Sequence, residues 1–369
     1  MRKWIAVFSV QTLVVIAISM EVSLARAQPN SSVFQTVWVW PNPDGTPVSD
    51  VNAGKALVAN AHASGVTSLF VSVYQPTKNS SGRYMFDDQI LADLIQQSHE
   101  NGIQVWAAYG NPDWINYACS DGEFPVDRMS EVLNYNKAKP SAKIDGVVLD
   151  VEPPSAITQP TATPTVRKRA DSPSAGDLLR LLALYRCLIE KSSPLPVSAA
   201  ISPYWDTPLA PPREHFYQQA ITLHLDHVIV MGYRNFVGSN DCSQQGIACL
   251  DWPAINYWET CGSIAIGGCE QGRSGNILAG LETGNIEDTA GDVTFFNKGQ
   301  TALDQAATDT INTFSNGGLG GFAIHAYQNA YLSSASSNWP STNPGFPKSI
   351  ALKTHSRQTI VAPSRGQIE

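Results

Sequence analysis

Residues 144–154 read IDGVVLDVEPP, and this stretch decides the fold. Its apolar, valine-rich centre at 146–149 is typical of a parallel strand that is covered on both faces. Side chains alternate along a strand, so Asp150 and Glu152 should point the same way, roughly 7 Å apart at about 3.3 Å per residue. Two prolines then end the strand, because proline has no N–H for the ladder. Barrels and open α/β sheets keep their chemistry at such strand ends; the alternative is an acid pair that only solvates the strand end.

The rest of the chain repeats the pattern of an apolar strand followed by a helix. We predict further strands at 37–40, 67–74, 103–109, 196–204, 227–233, 276–282 and 320–327, and helices at 50–64, 88–101, 126–138, 176–191, 211–224 and 299–315. Eight strands that alternate with helices over roughly 300 residues are typical of an α/β protein with a (β/α)8 TIM barrel. A doubly wound open sheet would need a glycine-rich phosphate turn after an early strand, and the first strand runs into prolines instead.

Both ends of the chain are expected to lie outside the barrel. Residues 1–27 combine a basic start, a short apolar run and the small-x-small sequence Ala25-Arg26-Ala27. These features predict a signal peptide cleaved after Ala27, with an uncleaved anchor as the alternative. We therefore expect a secreted or periplasmic monomer without stable membrane insertion after cleavage, built as one barrel domain over 33–332. Residues 333–369 are rich in Ser, Pro and Asn, and we expect a poorly ordered tail.

The charge balance limits the possible partners. The formal charge is −8, and loss of residues 1–27 removes three basic residues and one acidic residue, which makes it −10. An acidic chain without a basic stripe is a poor nucleic-acid binder, so we predict no nucleic-acid partner. A neutral polymer such as a polysaccharide fits this balance better. No cofactor is predicted.

Cysteines mark a loop insertion between the sixth and seventh strands, at residues 235–272. The four cysteines in it are Cys242, Cys249, Cys261 and Cys269. In an exported chain they predict two local disulfides of unknown pairing. Zinc is the competing interpretation, but the spacings are not of the C-x2-C type and no histidine lies among them, so no metal site is predicted. Cys187 lies on the apolar side of a helix and is expected to be a buried free thiol, whereas Cys119 is either free or paired.

The predicted strand ends carry a ring of aromatic and polar side chains. Besides Asp150, Glu152 and Glu282, they are Trp40, Tyr74, Tyr109, Tyr204, Trp205, Asp206, Tyr233, Arg234, His325 and Tyr327. Any one of these aromatic side chains can be explained by packing. Together they indicate substrate binding, because aromatic rings stack on the apolar faces of sugars as they do on other ligands. The ring therefore predicts a carbohydrate substrate.

Glu282 is the second informative acid, because it ends the apolar run ILAGL and should face the mouth of the barrel. Cleavage of a glycosidic bond usually needs two carboxyl groups that flank the sugar. Glu152 and Glu282 come from opposite sides of the predicted ring, which suits that geometry. The alternative is that Glu282 pairs with Arg234 and holds the sixth and seventh strands together.

Two short motifs resemble those of family 18 glycoside hydrolases, the chitinase-like barrels. DGVVLDVE at 145–152 resembles their fourth-strand pattern D-G-x-D-x-D-x-E, and VMGY at 230–233 resembles their sixth-strand M-x-Y-D. The resemblance implies that Glu152 is the acid, that Asp150 orients the substrate acetamido group and that Tyr233 donates a hydrogen bond to that group.

The chain departs from this family at three positions. Val148 stands where the family has its first inner aspartate, Arg234 where it has the aspartate after tyrosine, and His325 where it has an eighth-strand tryptophan. Asp-x-Glu-Pro with a second Glu on the seventh strand is also similar to the larger clan of two-carboxylate retaining barrels, whose Asn before the acid is replaced here by Val151.

We therefore predict an exported glycoside hydrolase with Glu152 as general acid/base. A carbohydrate-binding barrel without catalysis is the second hypothesis. A metal-dependent hydrolase is the third, and only His325 and Asp206 are placed for it. Attack by Glu282 as the nucleophile is the preferred mechanism, because Val148 replaces the inner aspartate that the chitinase-like pattern uses next to Asp150. If the substrate's own acetamido group attacks, Glu282 is dispensable and Asp150 is not.

Overall fold

Eight parallel strands pair in sequence order and close into a barrel, with the last strand returning to the first. The strands are β1 Phe34–Val39, β2 Ser68–Ser72, β3 Gln104–Tyr109, β4 Gly146–Leu149, β5 Val197–Ile201, β6 Val228–Val230, β7 Ile277–Glu282 and β8 Leu319–Tyr327. The helices are α1 Val51–Ala63, α2 Asp88–Glu100, α3 Phe124–Ala138, α4 Ala175–Ser192, α5 Phe216–Thr222 and α6 Gly299–Thr313. The predicted (β/α)8 fold is confirmed.

The computed structural model describes the barrel and most of its connections. It covers residues 34–40, 48–75, 77–153, 173–205, 216–223, 225–238, 243–251, 254–255, 277–284, 292–296, 298–314 and 319–327. The predicted signal peptide at 1–27 and the predicted tail at 333–369 lie outside these residues. Within them, no helix is both long and apolar enough to cross a membrane.

Side chains that point into the barrel fill its centre. They are Trp38, Phe70, Trp106, Ala108, Val148, Ala200, Ile229, Leu278 and Ala323. Three of the rings meet edge to face, with centroids 5.1 Å apart for Trp38 and Phe70 and 6.0 Å apart for Phe70 and Trp106. Large rings from β1–β3 are thus matched by small side chains from β5 and β8, which closes the interior below the carboxyl ends of the strands.

Local sequence signals set the helix bounds. The Asp50 carboxylate accepts a hydrogen bond from the Ala53 N–H (2.7 Å) and caps α1. Ser174 and Asp177 form a capping box at the start of α4. Gly65 and Gly102 follow α1 and α2 with φ of 72°, a left-handed conformation that favours glycine at the end of a helix.

β5 and β6 each end three residues earlier than predicted, and β2 ends two residues earlier. β5 ends at Ile201, and a 3-10 turn at Pro203–Trp205 follows it, because Pro203 has no N–H with which to continue the ladder. β6 ends at Val230, although the Met231 N–H still donates to the Ile201 carbonyl at 2.8 Å. The residues of the VMGY motif therefore lie mostly in the loop that follows β6.

The prediction that Cys187 is a free thiol is wrong. Cys187 in α4 forms a disulfide with Cys119, and the two Cα atoms lie 5.8 Å apart. α4 packs against α3 and against the 3-10 segment Pro112–Asn116, which brings the loop that carries Cys119 beside it. Cys249 is disulfide-bonded as well, and no described cysteine is free. Cys242, Cys261 and Cys269 lie outside the described residues.

The start of β4 has room only for glycine. A Cβ atom built on Gly146 would lie 2.4 Å from Cε3 of Trp106, its register partner on β3. Trp106 is itself buried in the barrel interior. We expect Gly146→Ala to lower the free energy of unfolding by about 1–3 kcal/mol, because the indole must shift within a filled core. Chemical denaturation measures this change.

Gly176→Ala is the matched control for that experiment. Gly176 lies in the first turn of α4, and the nearest atom to an added Cβ is the Ser174 Oγ at 3.6 Å, an ordinary contact. Alanine is the better helix former, so this variant should be neutral or slightly stabilised. Equal effects of the two substitutions would contradict the tight packing of Gly146 on Trp106.

Candidate active site

Close contact between the ends of β3 and β4 fixes the position of Asp150. The Asp150 N–H donates to the Tyr109 carbonyl at 2.7 Å. Gly110 directly follows β3, and a Cβ atom there would lie 1.8 Å from the Asp150 carbonyl oxygen. The absence of a side chain at Gly110 therefore allows the two backbones to meet, and Asp150 follows the buried β4 residues on the side of the inward-facing Val148.

Asp150 carries the most perturbed carboxyl group among the predicted site residues. Its Oδ1 atom is buried and has no hydrogen-bond partner among the described residues. Burial, followed by the negative charge of Glu152, raises the pKa of Asp150 to about 7. Glu152 lies more exposed at the rim, and partial loss of hydration raises its pKa too. The two carboxyls form an interacting pair that holds a proton near neutral pH.

Glu282, His325 and Trp40 form a hydrogen-bonded chain across three neighbouring strands. Glu282 is buried, with 2% of its surface exposed, and lies opposite His325 in the β7–β8 register. Its Oε2 lies 2.6 Å from His325 Nδ1, and its Oε1 accepts the Gly284 N–H at 2.5 Å. Trp40 Nε1 lies 2.9 Å from His325 Nε2. Both oxygens of Glu282 are therefore engaged.

The hydrogen-bond donors among Trp40, His325 and Glu282 determine which nitrogen of His325 carries a proton. An indole N–H can only donate, so His325 Nε2 accepts from Trp40 and carries no proton. His325 Nδ1 then carries the proton of the neutral ring and donates it to the Glu282 carboxylate. A positive charge on His325 would lower the pKa of Asp150 and of Glu152. Burial has a larger influence on both carboxyls than His325 has, so their pKa values stay raised.

Arg234 does not pair with Glu282 in the described residues. Its guanidinium donates to the Tyr204 hydroxyl (3.2 Å), the Gln245 carbonyl (3.0 Å) and the Tyr233 carbonyl (2.7 Å). The predicted ion pair between Glu282 and Arg234 is therefore replaced by the bond between Glu282 and His325. Arg234 instead joins the loop after β6 to the exposed ring of Tyr204 at the rim.

Tyr233 lies beside the acidic pair. Its ring centroid is 5.9 Å from that of His325. Burial raises its pKa well above the usual value, and the charges of Glu282, Asp150 and Glu152 add to the shift. The phenol therefore stays neutral and can donate a hydrogen bond. A Cβ atom on Gly280 of β7 would lie 3.1 Å from the Tyr233 ring, so glycine at this position leaves room for the ring.

The structure brings together only part of the predicted ring. The residues that do come together at the carboxyl ends of the strands are Asp150, Glu152, Tyr233, Glu282, His325 and Trp40. Tyr74 packs instead on Tyr84 and Phe124, with centroids 6.4 and 5.8 Å apart. The side chain of Tyr327 and the whole of Asp206 lie outside the described residues. In the described part of the chain, no three His, Cys, Asp or Glu side chains come together as metal ligands would.

Two predicted ring members point into protein instead of the mouth. Tyr109 is buried outside the barrel wall, with its ring 6.3 Å from Trp114 and under the electrostatic influence of Glu131 and Arg128 of α3. Trp205 is buried against Phe216 of α5. Their assignment to the substrate ring is corrected. Alternation along β3 turns Tyr109 away from the interior that Trp106 and Ala108 face, and Trp205 lies in the 3-10 turn after β5.

Asp251 is a buried acid that sequence analysis missed. It lies in the loop insertion, it has no exposed surface, and neither carboxyl oxygen has a hydrogen-bond partner among the described residues. A Cβ atom on Gly232 would lie 3.3 Å from its Oδ1, so it packs behind the VMGY motif. Burial raises the pKa of Asp251 well above its usual value. Only the position of Asp251 two residues after Cys249 could have drawn attention to it.

Asp251→Asn should stabilise the protein increasingly as pH rises. A carboxyl whose pKa is higher in the folded than in the unfolded state stabilises the fold fully below its unfolded pKa, and this stability is lost as pH rises toward the folded pKa. An amide does not titrate. We expect similar melting temperatures of variant and wild type at pH 4 and a gap of a few degrees in favour of the variant at pH 8, measured by thermal denaturation.

Asp113→Asn, at an exposed position, is the control and should show no pH-dependent gap. A gap for Asp251→Asn that stays constant between pH 4 and pH 8 would mean that Asp251 does not titrate differently in the folded state.

Comparisons with known proteins were made for the whole chain. No family model and no curated protein matches it. Among solved structures it is similar to a chitinase from Bacteroides thetaiotaomicron, with 10% identity over 89% of this chain and 99% of that chain and a TM-score of 0.48. It is also similar to a GH18 chitinase from Cycas revoluta in complex with (GlcNAc)3, with 12% identity over 79% and 94% and a TM-score of 0.45.

A third similar structure is the spore cortex-lytic enzyme SleL of Bacillus megaterium QM B1551, with 14% identity over 81% of this chain and 71% of that chain and a TM-score of 0.44. The Cycas revoluta enzyme is a family 18 chitinase, which is the family that the two motifs resemble. At identities and TM-scores this low, the similarities carry no conclusion about function, which we draw from this chain's own residues.

Proposed function

We propose that this chain is an exported glycoside hydrolase that acts on a polymer of 2-acetamido sugars. The observation that carries the proposal is the pair of Asp150 and Glu152 at the end of β4, whose pKa values are raised where a substrate can reach them. A carboxylic acid that keeps its proton near neutral pH is what the protonation of a departing sugar oxygen requires.

Glu152 is the proton donor in this proposal. It lies at the rim and is exposed, so its carboxyl can approach the oxygen of a glycosidic bond. The bond between the anomeric carbon and that oxygen breaks as the Glu152 proton moves to the oxygen. In the second step Glu152 takes a proton from the water that attacks the anomeric carbon.

Asp150 and Tyr233 orient the nucleophile, which is the acetamido group of the substrate itself. The Asp150 carboxyl can accept the acetamido N–H, and the neutral Tyr233 hydroxyl can donate to its carbonyl oxygen. That oxygen attacks the anomeric carbon and forms a cyclic intermediate, which water opens with retention of configuration. The roles of Asp150, Glu152 and Tyr233 agree with the resemblance of the two motifs to family 18.

Glu282 as nucleophile stays an untested prediction, and the geometry favours a different role. Its carboxyl is buried, and its two oxygens accept from Gly284 and His325. An attacking oxygen would have to leave one of these partners. This engagement supports the substrate-assisted mechanism over the two-carboxylate mechanism that the sequence favoured.

A carbohydrate-binding barrel without catalysis is the second candidate. Val148 is fully buried in the apolar interior directly below Asp150, so no aspartate stands there to adjust the Asp150 proton. Such a protein would bind the oligosaccharide with the same groups but would not cleave it. Turnover by the wild-type protein decides between the two.

We expect Glu152→Gln to reduce kcat on soluble N-acetylglucosamine oligomers by about 10²–10⁴-fold, because the amide cannot give up a proton. Product release followed by chromatography measures this, and isothermal titration checks that the variant still binds the trimer. The control is Glu100→Gln, at the exposed end of α2, which should keep wild-type activity. Wild-type turnover by Glu152→Gln would remove Glu152 from the mechanism.

A substrate control separates the two mechanisms. Oligomers of glucosamine lack the acetyl group and should not be cleaved if the acetamido oxygen is the nucleophile. Cleavage of both substrates at similar rates would restore Glu282 as the candidate nucleophile.

The pH dependence of kcat/KM should follow the titration of the proton that Asp150 and Glu152 share. We expect kcat/KM to fall as pH rises through about 7, because the last proton then leaves the Asp150–Glu152 pair. In Asp150→Asn the group whose pKa is about 7 is removed, and only the Glu152 carboxyl of the pair titrates. The residual activity should therefore decline at lower pH than in the wild type. Carboxyl ¹³C NMR follows the same titration without turnover, and an unchanged titration in Asp150→Asn would contradict the pairing.

A further inference from the structure

The ring of Trp40 is fixed on one face and at one edge. It stacks on Trp38 with centroids 5.6 Å apart and planes 7° apart, and Trp38 belongs to the filled interior. Its Nε1–H edge is held by His325. Trp40 nevertheless remains partly exposed, in contrast to the buried Trp38. Part of the Trp40 ring therefore remains accessible at the carboxyl end of β1.

The acids of the site lie close to the same ring. His325 exerts an electrostatic influence on Asp150 and on Glu152, and its ring lies beside Tyr233. The series of hydrogen bonds from Glu282 through His325 therefore ends at the Trp40 ring, next to the proposed reacting groups. Aromatic faces are suited to the C–H face of a pyranose ring.

We propose that Glu282 and His325 are positioning residues that hold the Trp40 indole as the platform under the sugar to be cleaved. This inference rests on the proposed function for the identity of the sugar. Glu282 fixes the proton of His325 on Nδ1, His325 Nε2 then accepts the indole N–H, and this bond prevents rotation of the indole. A platform that is rigid before binding loses less conformational entropy when the sugar stacks on it.

The hydrogen bonds from Glu282 through His325 to Trp40 form a relay. This relay explains why a buried carboxylate faces a histidine at this point. Without Glu282, the imidazole proton could occupy either nitrogen, and in one tautomer an N–H would face the Trp40 N–H. With Glu282 in place only one tautomer forms both hydrogen bonds. Glu282 thus acts on the substrate through two other side chains and does not touch it.

His325→Asn and His325→Phe test this chain of contacts. An asparagine amide can replace Nδ1–H toward Glu282 but does not reach Trp40, whereas phenylalanine keeps the ring volume and removes both bonds. In the wild type the indole N–H of Trp40, identified by its loss in Trp40→Phe, should exchange slowly with solvent in NMR spectra. In His325→Asn we expect it to exchange at least tenfold faster. If the Trp40 indole N–H exchanged as slowly in both His325 variants as in the wild type, the relay would be overturned.

Binding and kinetics test the platform. In the Glu152→Gln background, we expect His325→Asn and Trp40→Phe to weaken binding of the N-acetylglucosamine trimer by about five- to twentyfold. In proteins with Glu152 intact, Glu282→Gln should raise KM more than it lowers kcat. Wild-type affinity in Trp40→Phe, or a fall of several orders of magnitude in kcat with unchanged KM in Glu282→Gln, would overturn the proposal.

These outcomes separate the relay from the proposed function. If the wild-type protein cleaves no oligosaccharide, the exchange rate of the Trp40 N–H and the affinity for the trimer still decide whether the relay exists. If hydrolysis is confirmed but the exchange rate does not respond to His325→Asn, the relay fails and the hydrolase stands. Thermal melting of each variant confirms that it is folded.

Discussion

The site depends on a carboxyl group that loses most of its hydration beside a second carboxyl group. Asp150 is placed beside Glu152 by the close approach of β3 and β4 at Gly110, and burial is the largest cause of its raised pKa. A charged partner would stabilise the anion and remove the proton that the chemistry needs. His325 lowers the pKa of Asp150, but burial outweighs this influence, so the proton is retained near neutral pH. The fold therefore sets the protonation of the site mainly by excluding water from Asp150.

The sequence could predict what depends on neighbouring residues. The bounds of β4 match those predicted from its apolar run, and α1 is one residue shorter at each end than the helix predicted at 50–64. The inward direction of Asp150 could be predicted as well, because it follows from alternation along one strand. Each of these features is settled within a few residues, where strand period, proline and capping act.

The rest depends on contacts that a single strand does not encode. Tyr109 ends a strand whose two faces are both apolar, so alternation does not reveal which face turns inward. The pairing of Glu282 with His325 depends on the register between β7 and β8, which the barrel as a whole determines. The disulfide between Cys119 and Cys187 likewise depends on how α4 packs near a distant loop. Burial of Asp251 likewise depends on how residues 250–251 pack against Gly232, two residues after β6.

The hydrogen bond between Trp40 and His325 joins residues 285 positions apart in the chain. Both belong to the seam where β8 returns to β1, so the seam forms only after nearly all of the barrel sequence has emerged from the ribosome. Contacts of such long sequence separation are slow to form and come late in folding. A chain shortened before β8 would leave β1 with an unpaired edge, and unpaired edges promote aggregation. Completion of the active site and protection from aggregation are thus the same folding event.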